Sequence, residues 1–383
     1  MSTSPAPLAA AAASSPDAAP APDVSVVMPC LNEEATIAAC IARAREGLAR
    51  LGMTGEIVVA DNGSTDASVA RALAAGARVV HAPQRGYGHA YRAGIAAARG
   101  RIVVMGDADN TYDFAELDAL VRPLDQGADL VIGSRLRGTV VRGAMPWLHR
   151  YVGTPLLSFV LNLFFGTRIV DTQSGFRAFR RADYAHLDLR CGGMEWASEM
   201  IVAGARRGWR MVEIPVRYGL REGESKLRSF RDGWRHLRMM LMYSPQHLFF
   251  LPGGAMALAG LALVLVLLPG PIRYGRLFMD VHFMFLGSLL AILGTQIVML
   301  GVFARSERTP PMWFTLERGL VVGLVLFALG LFANGAIVAR WIASDFGPMN
   351  MVRPAILALT LMSVGAQVFF SSFYLGLMHL GKD

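Results

Sequence analysis

Ile102-Val103-Val104-Met105-Gly106-Asp107-Ala108-Asp109 sets an unbroken apolar run directly against two carboxylates one residue apart. A short β-branched run that ends abruptly in polar residues reads as a strand buried on both faces. Val24–Met28, Ile57–Ala60 and Leu130–Gly133 have the same form, and Ala/Arg-rich stretches at 34–51 and 66–75 between such runs carry a helical period. Strands alternating with helices predict an α/β fold with a mainly parallel sheet covered on both sides. Ligands of such sheets gather beyond the carboxyl ends of the strands. Polar residues stand at those ends: Asn32 and Glu33, Asp61 and Asn62, Asp107 and Asp109. Two acids in one loop can both approach a hard divalent cation, Mg2+ or Mn2+, which also takes diphosphate oxygens. A lone Asp-x-Asp is often a solvated turn, so its position after the apolar run is what gives it weight.

Outward from this segment the composition divides. Of 383 residues 54% are hydrophobic and 17% charged, and the mean hydropathy of +0.40 argues against a wholly soluble globular protein. The last 138 residues hold 13 of the 66 charged residues. Four charge-free runs lie there, 239–272, 281–304, 319–339 and 354–381, of 34, 24, 21 and 28 residues. Each is long enough for a helix to cross a hydrocarbon core of about 20 residues. Arg228, Arg231, Arg235, Arg238, Arg305, Arg308, Arg318 and Lys382 fall on one side of these crossings; Arg273, Arg276, Arg340 and Arg353 fall on the other. The bias predicts a cytoplasmic N-terminal half with both ends on that side of the cytoplasmic membrane. Asn334, Gln296 and Gln367 lie within the crossings, where interhelical hydrogen bonding is the favoured expectation.

Residues 1–22, with nine Ala, five Pro and no Lys or Arg, predict a disordered tail. Arg228, Arg231, Arg235 and Arg238 recur every three or four residues with Phe230, Trp234, Leu237 and Leu241 beside them, which predicts an interfacial helix over 228–245. The charge-free stretch 151–167 is short for a crossing and fits a membrane-surface helix or a core helix equally. Cys30, Cys40 and Cys191 form no Cys-x-x-Cys, so no zinc site is expected.

Further motifs follow in a fixed order. Val26-Val27-Met28-Pro29-Cys30-Leu31-Asn32-Glu33, Asp61-Asn62-Gly63-Ser64-Thr65-Asp66 and Asp107-Ala108-Asp109 precede Gly133-Ser134-Arg135, Asp171-Thr172-Gln173-Ser174-Gly175-Phe176-Arg177 and Glu222-Gly223-Glu224-Ser225-Lys226-Leu227. This series resembles the GT-A glycosyltransferases of family 2, and its later elements resemble the dolichol-phosphate mannose synthase branch and bacterial polyprenyl-phosphate relatives. The resemblance covers about residues 23–227 and implies a GT-A domain there, ahead of a four-helix membrane domain over 246–383. It implies a nucleotide-sugar site at Pro29, Glu33, Asp61 and Asp107, with Asp107 and Asp109 as ligands of Mg2+ or Mn2+. An acceptor-phosphate site at Arg135, Arg150 and Ser225 is implied as well. For Arg221 and Lys226, with Asp109, the resemblance implies the catalytic role of stabilising the departing diphosphate. Leu31 stands where an aromatic residue is frequent, Asn62 replaces the second acid of a common Asp-Asp pair, and Thr111 stands where a Gln often completes the metal shell.

The implied reaction moves a hexose from a nucleotide-sugar, UDP-glucose or GDP-mannose, to a polyprenyl phosphate with inversion. The implied partners include membrane lipids and exclude nucleic acid; a homo-oligomer is compatible with them. A phosphate monoester with a second pKa of about 6 is already ionised at neutral pH, so no dedicated base is expected. His89 is read as a donor-loop or structural residue. Two alternatives have sequence tests. A processive polysaccharide synthase would carry Gln-x-x-Arg-Trp, but Arg340-Trp341 is preceded by Ile337 at the Gln position. The membrane helices could also form a lipid-translocating module, against which the intact acids and basic residues of the water-facing half weigh.

Overall fold

The structure, a computed structural model, describes residues 21–223, 229–306 and 314–379. The expected tail lies outside them up to residue 20, as do Ser225, Lys226, Arg228, Arg308 and Lys382. Contacts divide the chain into two units, Met1–Met239 and Met240–Asp383.

In the first unit, β1 (Val24–Cys30), β2 (Gly55–Asp61), β3 (Arg78–His81), β4 (Ile102–Met105), β5 (Leu130–Val140), β6 (Arg177–Arg180) and β7 (Met211–Tyr218) form one sheet in the order β3-β2-β1-β4-β6-β5-β7. All pairings are parallel except those of β6, which runs antiparallel to both β4 and β5. Helices α1 (Ile37–Leu51), α2 (Ser68–Ala74), α3 (Tyr87–Ala97), α4 (Leu117–Asp125), α5 (Thr154–Phe165), α6 (Arg181–Tyr184) and α7 (Trp196–Arg206) connect the strands. Val24, Val26, Val27 and Met28 are fully buried, the state of a central strand covered on both faces. Polar Ser25 is tolerated there because its hydroxyl bonds Glu56 Oε1 at 2.7 Å and receives Gly100 N at 2.8 Å. Strand β6 was not legible: Arg177 and Arg180 interrupt its apolar pattern, yet Arg177 is fully buried. Its guanidinium donates to the carbonyls of Ser174, Ala197 and Thr172 at 2.8, 2.5 and 2.9 Å. The 171–176 loop is thus wrapped around a cation held by backbone carbonyls.

Helix α8 (Ser229–Tyr243) follows. Phe230 and Trp234 are exposed on it, whereas Asp232, His236 and Met239 are buried. The opposite face is therefore not simply apolar: it buries a carboxylate and an imidazole within the first unit.

In the second unit, α9 (Leu251–Leu267), α10 (Val281–Ser306), α11 (Leu316–Ala343) and α12 (Val352–His379) supply four helices long and apolar enough to cross a membrane, over Gln246–Leu267, Val281–Arg305, Leu316–Ala343 and Val352–Met378. They pack through small residues. A Cβ on Gly260 would meet Gly287 O at 2.4 Å, and one on Gly365 would meet Gly323 O at 2.7 Å. Strands β8 (Ile272–Tyr274) and β9 (Leu277–Met279) form a hairpin between the first two helices. Asp280 and Arg353 pair across the adjoining helix ends. Of the three intramembrane amides, Asn334 donates to Met362 Sδ at 3.1 Å. Gln296 and Gln367 do not follow that expectation: they line a groove of about 420 Å³ between α10 and α12, and Gln367 Oε1 has no hydrogen-bond partner among the described residues.

Candidate active site

The carboxyl ends of β1, β2 and β4 bring the acids to one edge of the sheet, and Arg135 lies midway along β5. Gly106 gives the chain room to leave β4: a Cβ there would lie 2.7 Å from the Phe114 ring and 2.9 Å from Phe176. The loop that follows is tied to the start of α1, where Thr36 Oγ1 donates to Ala108 O at 2.6 Å. Asn32 and Asn110 hold positive φ, +54° and +66°, a conformation that asparagine tolerates and that clusters at functional loops.

Asp109 is 4% exposed. Its Oδ1 accepts from Thr111 N at 3.2 Å and Thr111 Oγ1 at 2.5 Å. Thr111, where the family often has Gln, thus fixes the orientation of the acid. Asp107 accepts from Tyr91 OH at 3.3 Å, and Tyr91 lies flat on Trp196 with ring centroids 5.2 Å apart. Burial and the neighbouring Asp109 charge raise the Asp107 pKa. Gly175 lets the 171–176 loop approach, since a Cβ there would sit 2.9 Å from Asp107 Oδ2.

After β7 the chain turns back along the acidic loop. Gly219 N donates to Thr111 O at 2.8 Å and Glu222 N to Asp109 O at 3.3 Å, while Asn110 Nδ2 donates to Glu222 Oε1 at 3.0 Å. This course sets Arg221 between Asp109 Oδ2, 3.3 Å from Nη1, and Glu33 Oε1, 3.4 Å from Nη2. Sequence reasoning placed Arg221 on the diphosphate and did not foresee its pairing with two acids from separate loops. A guanidinium lodged among Asp109 and Glu33 marks a place suited to positive charge, so Asp107 and Asp109 fit a divalent cation by charge and by oxygen-only chemistry.

On the β2 side, Asp61 accepts from Gly63 N and Ser64 N at 3.2 and 3.0 Å and contacts His81 Nδ1 at 3.1 Å. Burial would raise its pKa, but these hydrogen bonds outweigh it and hold it below the ordinary value. Asn62 has a structural explanation: its amide donates to Gln84 O at 2.8 Å and accepts from Gly86 N at 2.7 Å. An aspartate could only accept. Pro29, the penultimate residue of β1, lies beside Ala60. His89 packs on the Gly192 backbone, since a Cβ at Gly192 would lie 2.1 Å from its Nε2, in keeping with a structural histidine.

Arg135 does not stand free for an acceptor. Its Nε and Nη2 each lie 2.8 Å from the Asp171 carboxylate, which also receives Arg135 N at 2.9 Å, and the guanidinium rests 5.2 Å from the Tyr218 ring centroid. Its Nη1 edge is the part that Asp171 leaves available. Arg150 sits on a wide helical turn, His149–Gly153, ahead of α5, with its guanidinium 5.4 Å from the Tyr151 ring. From this turn through α5, Trp147, Tyr151, Leu156, Phe159 and Leu163 are exposed, while Thr154, Ser158 and Leu161 face inward. Of the two readings of 151–167, this pattern is that of a surface helix with an unpartnered apolar face.

A buried polar chain joins this helix to α8. Ser158 Oγ meets Thr172 Oγ1 at 3.0 Å; Gln173 Nε2 donates to Thr172 Oγ1 at 2.9 Å and to Ser198 Oγ at 3.0 Å; Ser198 Oγ meets His236 Nδ1 at 2.9 Å. Its members lie up to 78 residues apart in a sequence with no spacing signal to link them. Burial lowers the His236 pKa to about 4, with Asp232 opposing and Arg177 assisting. An unfolded histidine near 6.5 takes its proton first, so stability falls as pH drops from about 6.5 towards 4, by up to about 3 kcal/mol. His236→Gln is expected to flatten this slope in thermal denaturation between pH 7 and 4; an unchanged slope would refute the assignment.

Residues 25–187 match the family description Glycosyl transferase family 2, and residues 305–379 match Glycosyltransferase family 2 C-terminal transmembrane region. Over 369 residues the chain is 40% identical to the Low-salt glycan biosynthesis hexosyltransferase Agl6 of Haloferax volcanii, covering 93% of this chain and 89% of that protein. It is 33% identical over 222 residues to a dolichyl-phosphate hexose transferase of the same organism, covering 55% of this chain and 89% of the relative. Glucosyl-3-phosphoglycerate synthase from Mycobacterium tuberculosis, solved with Mn2+, UDP and glucosyl-3-phosphoglycerate, aligns at 28% identity and a TM-score of 0.46 over 58% of this chain and 80% of that one. The mainly parallel sheet with its acid-tipped β4, the four membrane-length helices and the near full-length relative agree, and the chain belongs to glycosyltransferase family 2.

Proposed function

We propose that this membrane glycosyltransferase moves one hexose, glucose or mannose, from a nucleotide-sugar to a polyprenyl phosphate with inversion, its catalytic unit and the chain beyond the fourth span facing the cytoplasm. The observation that carries the reading is the joining of the Asp107/Asp109 loop to Arg221 and Glu33 at one sheet edge, in a unit that also exposes an apolar helix beside Arg150. The names of the two Haloferax relatives support a hexosyl donor and, for one of them, a dolichyl-phosphate acceptor.

Asp61, Glu33 and Pro29 are assigned to the nucleoside, and Asp107 with Asp109 to a divalent cation, Mg2+ or Mn2+. Such a cation, when bound, neutralises charge developing on the departing diphosphate. Arg221 adds a planar cation that matches phosphate oxygens. Ser225 and Lys226, outside the described residues, are assigned to the acceptor phosphate and the diphosphate on the same loop. Arg135, immobilised by Asp171, presents its remaining edge to the acceptor phosphate, with Arg150 nearer the lipid-facing helix. The acceptor oxygen is already anionic and attacks opposite the leaving group, so no side chain need remove a proton.

Purified protein supplied with polyprenyl phosphate, Mn2+ or Mg2+ and each nucleotide-hexose in turn is expected to yield a glycolipid carrying a single sugar. A polymeric product, or no product from any donor, would overturn the reading. Tyr151, Leu156, Phe159 and Leu163 are assigned to the bilayer surface. Phe159→Asp should therefore raise KM for a long-chain acceptor in vesicles about tenfold, a loss of about 1.4 kcal/mol of apolar burial. A short, water-soluble prenyl phosphate should be used as before; equal effects on both acceptors would refute the surface role.

A further inference from the structure

Arg221 occupies an unusual position for a residue assigned to a substrate's phosphates. Its guanidinium lies 3.3 Å from Asp109 Oδ2 and 3.4 Å from Glu33 Oε1, longer than the roughly 2.7–2.9 Å of a well-made charge-assisted bond. Its Nε is buried without a hydrogen-bond partner among the described residues. The oxygen it faces on Asp109 is the one Thr111 leaves alone, because both Thr111 donors go to Oδ1. Arg221 therefore stands on the same Asp109 oxygen that remains for a metal ion, and it makes that contact with capacity to spare for a further anion.

We propose that Arg221 is the resident counter-cation of the divalent-metal site: it neutralises Asp109 and Glu33 until metal and nucleotide diphosphate bind, and it then exchanges these carboxylates for the diphosphate. The proposal rests on the assignment of Asp107 and Asp109 as metal ligands. A metal ion arriving alone must compete with a paired guanidinium for Asp109, so its affinity is reduced. A metal arriving with a diphosphate offers the guanidinium a new anion, so the competition is relieved. Metal and nucleotide thus bind with positive coupling, and by linkage each raises the other's affinity by the same factor. Arg221 is the source of that coupling, a role separate from stabilising the leaving group.

The test is Mn2+ titration of the full chain in nanodiscs, with free Mn2+ read by electron paramagnetic resonance, and calorimetry of UDP and GDP binding with and without Mn2+. Arg221→Gln is expected to bind Mn2+ alone about tenfold more tightly than the parent, while the gain in nucleotide affinity conferred by Mn2+ shrinks towards unity. Arg221→Lys keeps a cation on the loop and should fall between the two. Mn2+ affinity that is unchanged or weaker in Arg221→Gln, with Asp109→Asn still abolishing Mn2+ binding, overturns the counter-cation role and leaves the metal site standing. Mn2+ binding that survives Asp109→Asn, or no Mn2+ binding by the parent with either nucleotide, overturns the metal-site assignment and the counter-cation role with it.

Discussion

Asp109→Asn is expected to lower single-turnover glycolipid yield about a thousandfold, the scale on which removing one preorganised electrostatic group from a transition state is felt. The substitution is nearly isosteric, and Thr111 N and Oγ1 can still donate to the amide oxygen as they do to Asp109 Oδ1 at 3.2 and 2.5 Å. The loop should keep its shape. The change falls on the other atom: Oδ2, which faces Arg221 at 3.3 Å, becomes an amide NH2 that donates and carries no charge. A cation then meets one carboxylate, Asp107, in place of two. Asp107→Asn is expected to be milder, because Asp107 is the acid whose ionisation burial and Asp109 already oppose, and the amide oxygen can still accept from Tyr91 OH as Asp107 Oδ1 does. Comparable turnover in Asp109→Asn and parent, measured at saturating donor and Mn2+, would remove Asp109 from the reaction.

The parts legible in the sequence were those in which one short segment carries its own physics. The run Ile102–Met105 is apolar because β4 is covered on both faces, and the acids follow because strand ends in such sheets open to ligand. The membrane helices were legible for a similar reason, since a hydrocarbon core tolerates few charges over about 20 residues. What escaped was long-range pairing. Nothing local says that Arg221 would reach Glu33, 188 residues away, or that α8 would bury Asp232 and His236 within the first unit. Asn62 read as a departure from an acidic pair, yet its two hydrogen bonds to the 84–86 loop need an amide. Arg135 read as a phosphate ligand because arginine in a Gly-Ser-Arg element gives no sign of whether its donors are already engaged. Strand β6 escaped because a fully buried arginine breaks the apolar pattern by which strands are recognised.

Asp171→Asn is expected to destabilise the catalytic unit more than any surface change. Asp171 is fully buried, its partner Arg135 is 11% exposed, and three donors of Arg135 converge on the carboxylate. Burial would raise the Asp171 pKa, but the charge and hydrogen bonds of Arg135 outweigh it and hold it below the ordinary value, so the pair is ionised at neutral pH. Its contribution persists above the unfolded value of about 3.9 and is lost as pH falls through the lower folded value. Removing one member leaves an uncompensated buried charge, which costs about 3–5 kcal/mol, whereas replacing both with apolar residues often costs little. At roughly 2–4 °C per kcal/mol for a unit of this size, the catalytic unit should unfold roughly 6–20 °C lower in Asp171→Asn. An Arg135→Met/Asp171→Leu double variant should recover much of that loss while remaining inactive, because it lacks the guanidinium edge assigned to the acceptor. Arg135→Lys retains the charge but cannot make the two-pronged contact with Asp171, so stability and acceptor KM should both suffer. A single-variant cost below about 1 kcal/mol would place the pair among weak surface bridges and remove the argument that Asp171 holds Arg135 in place for the acceptor.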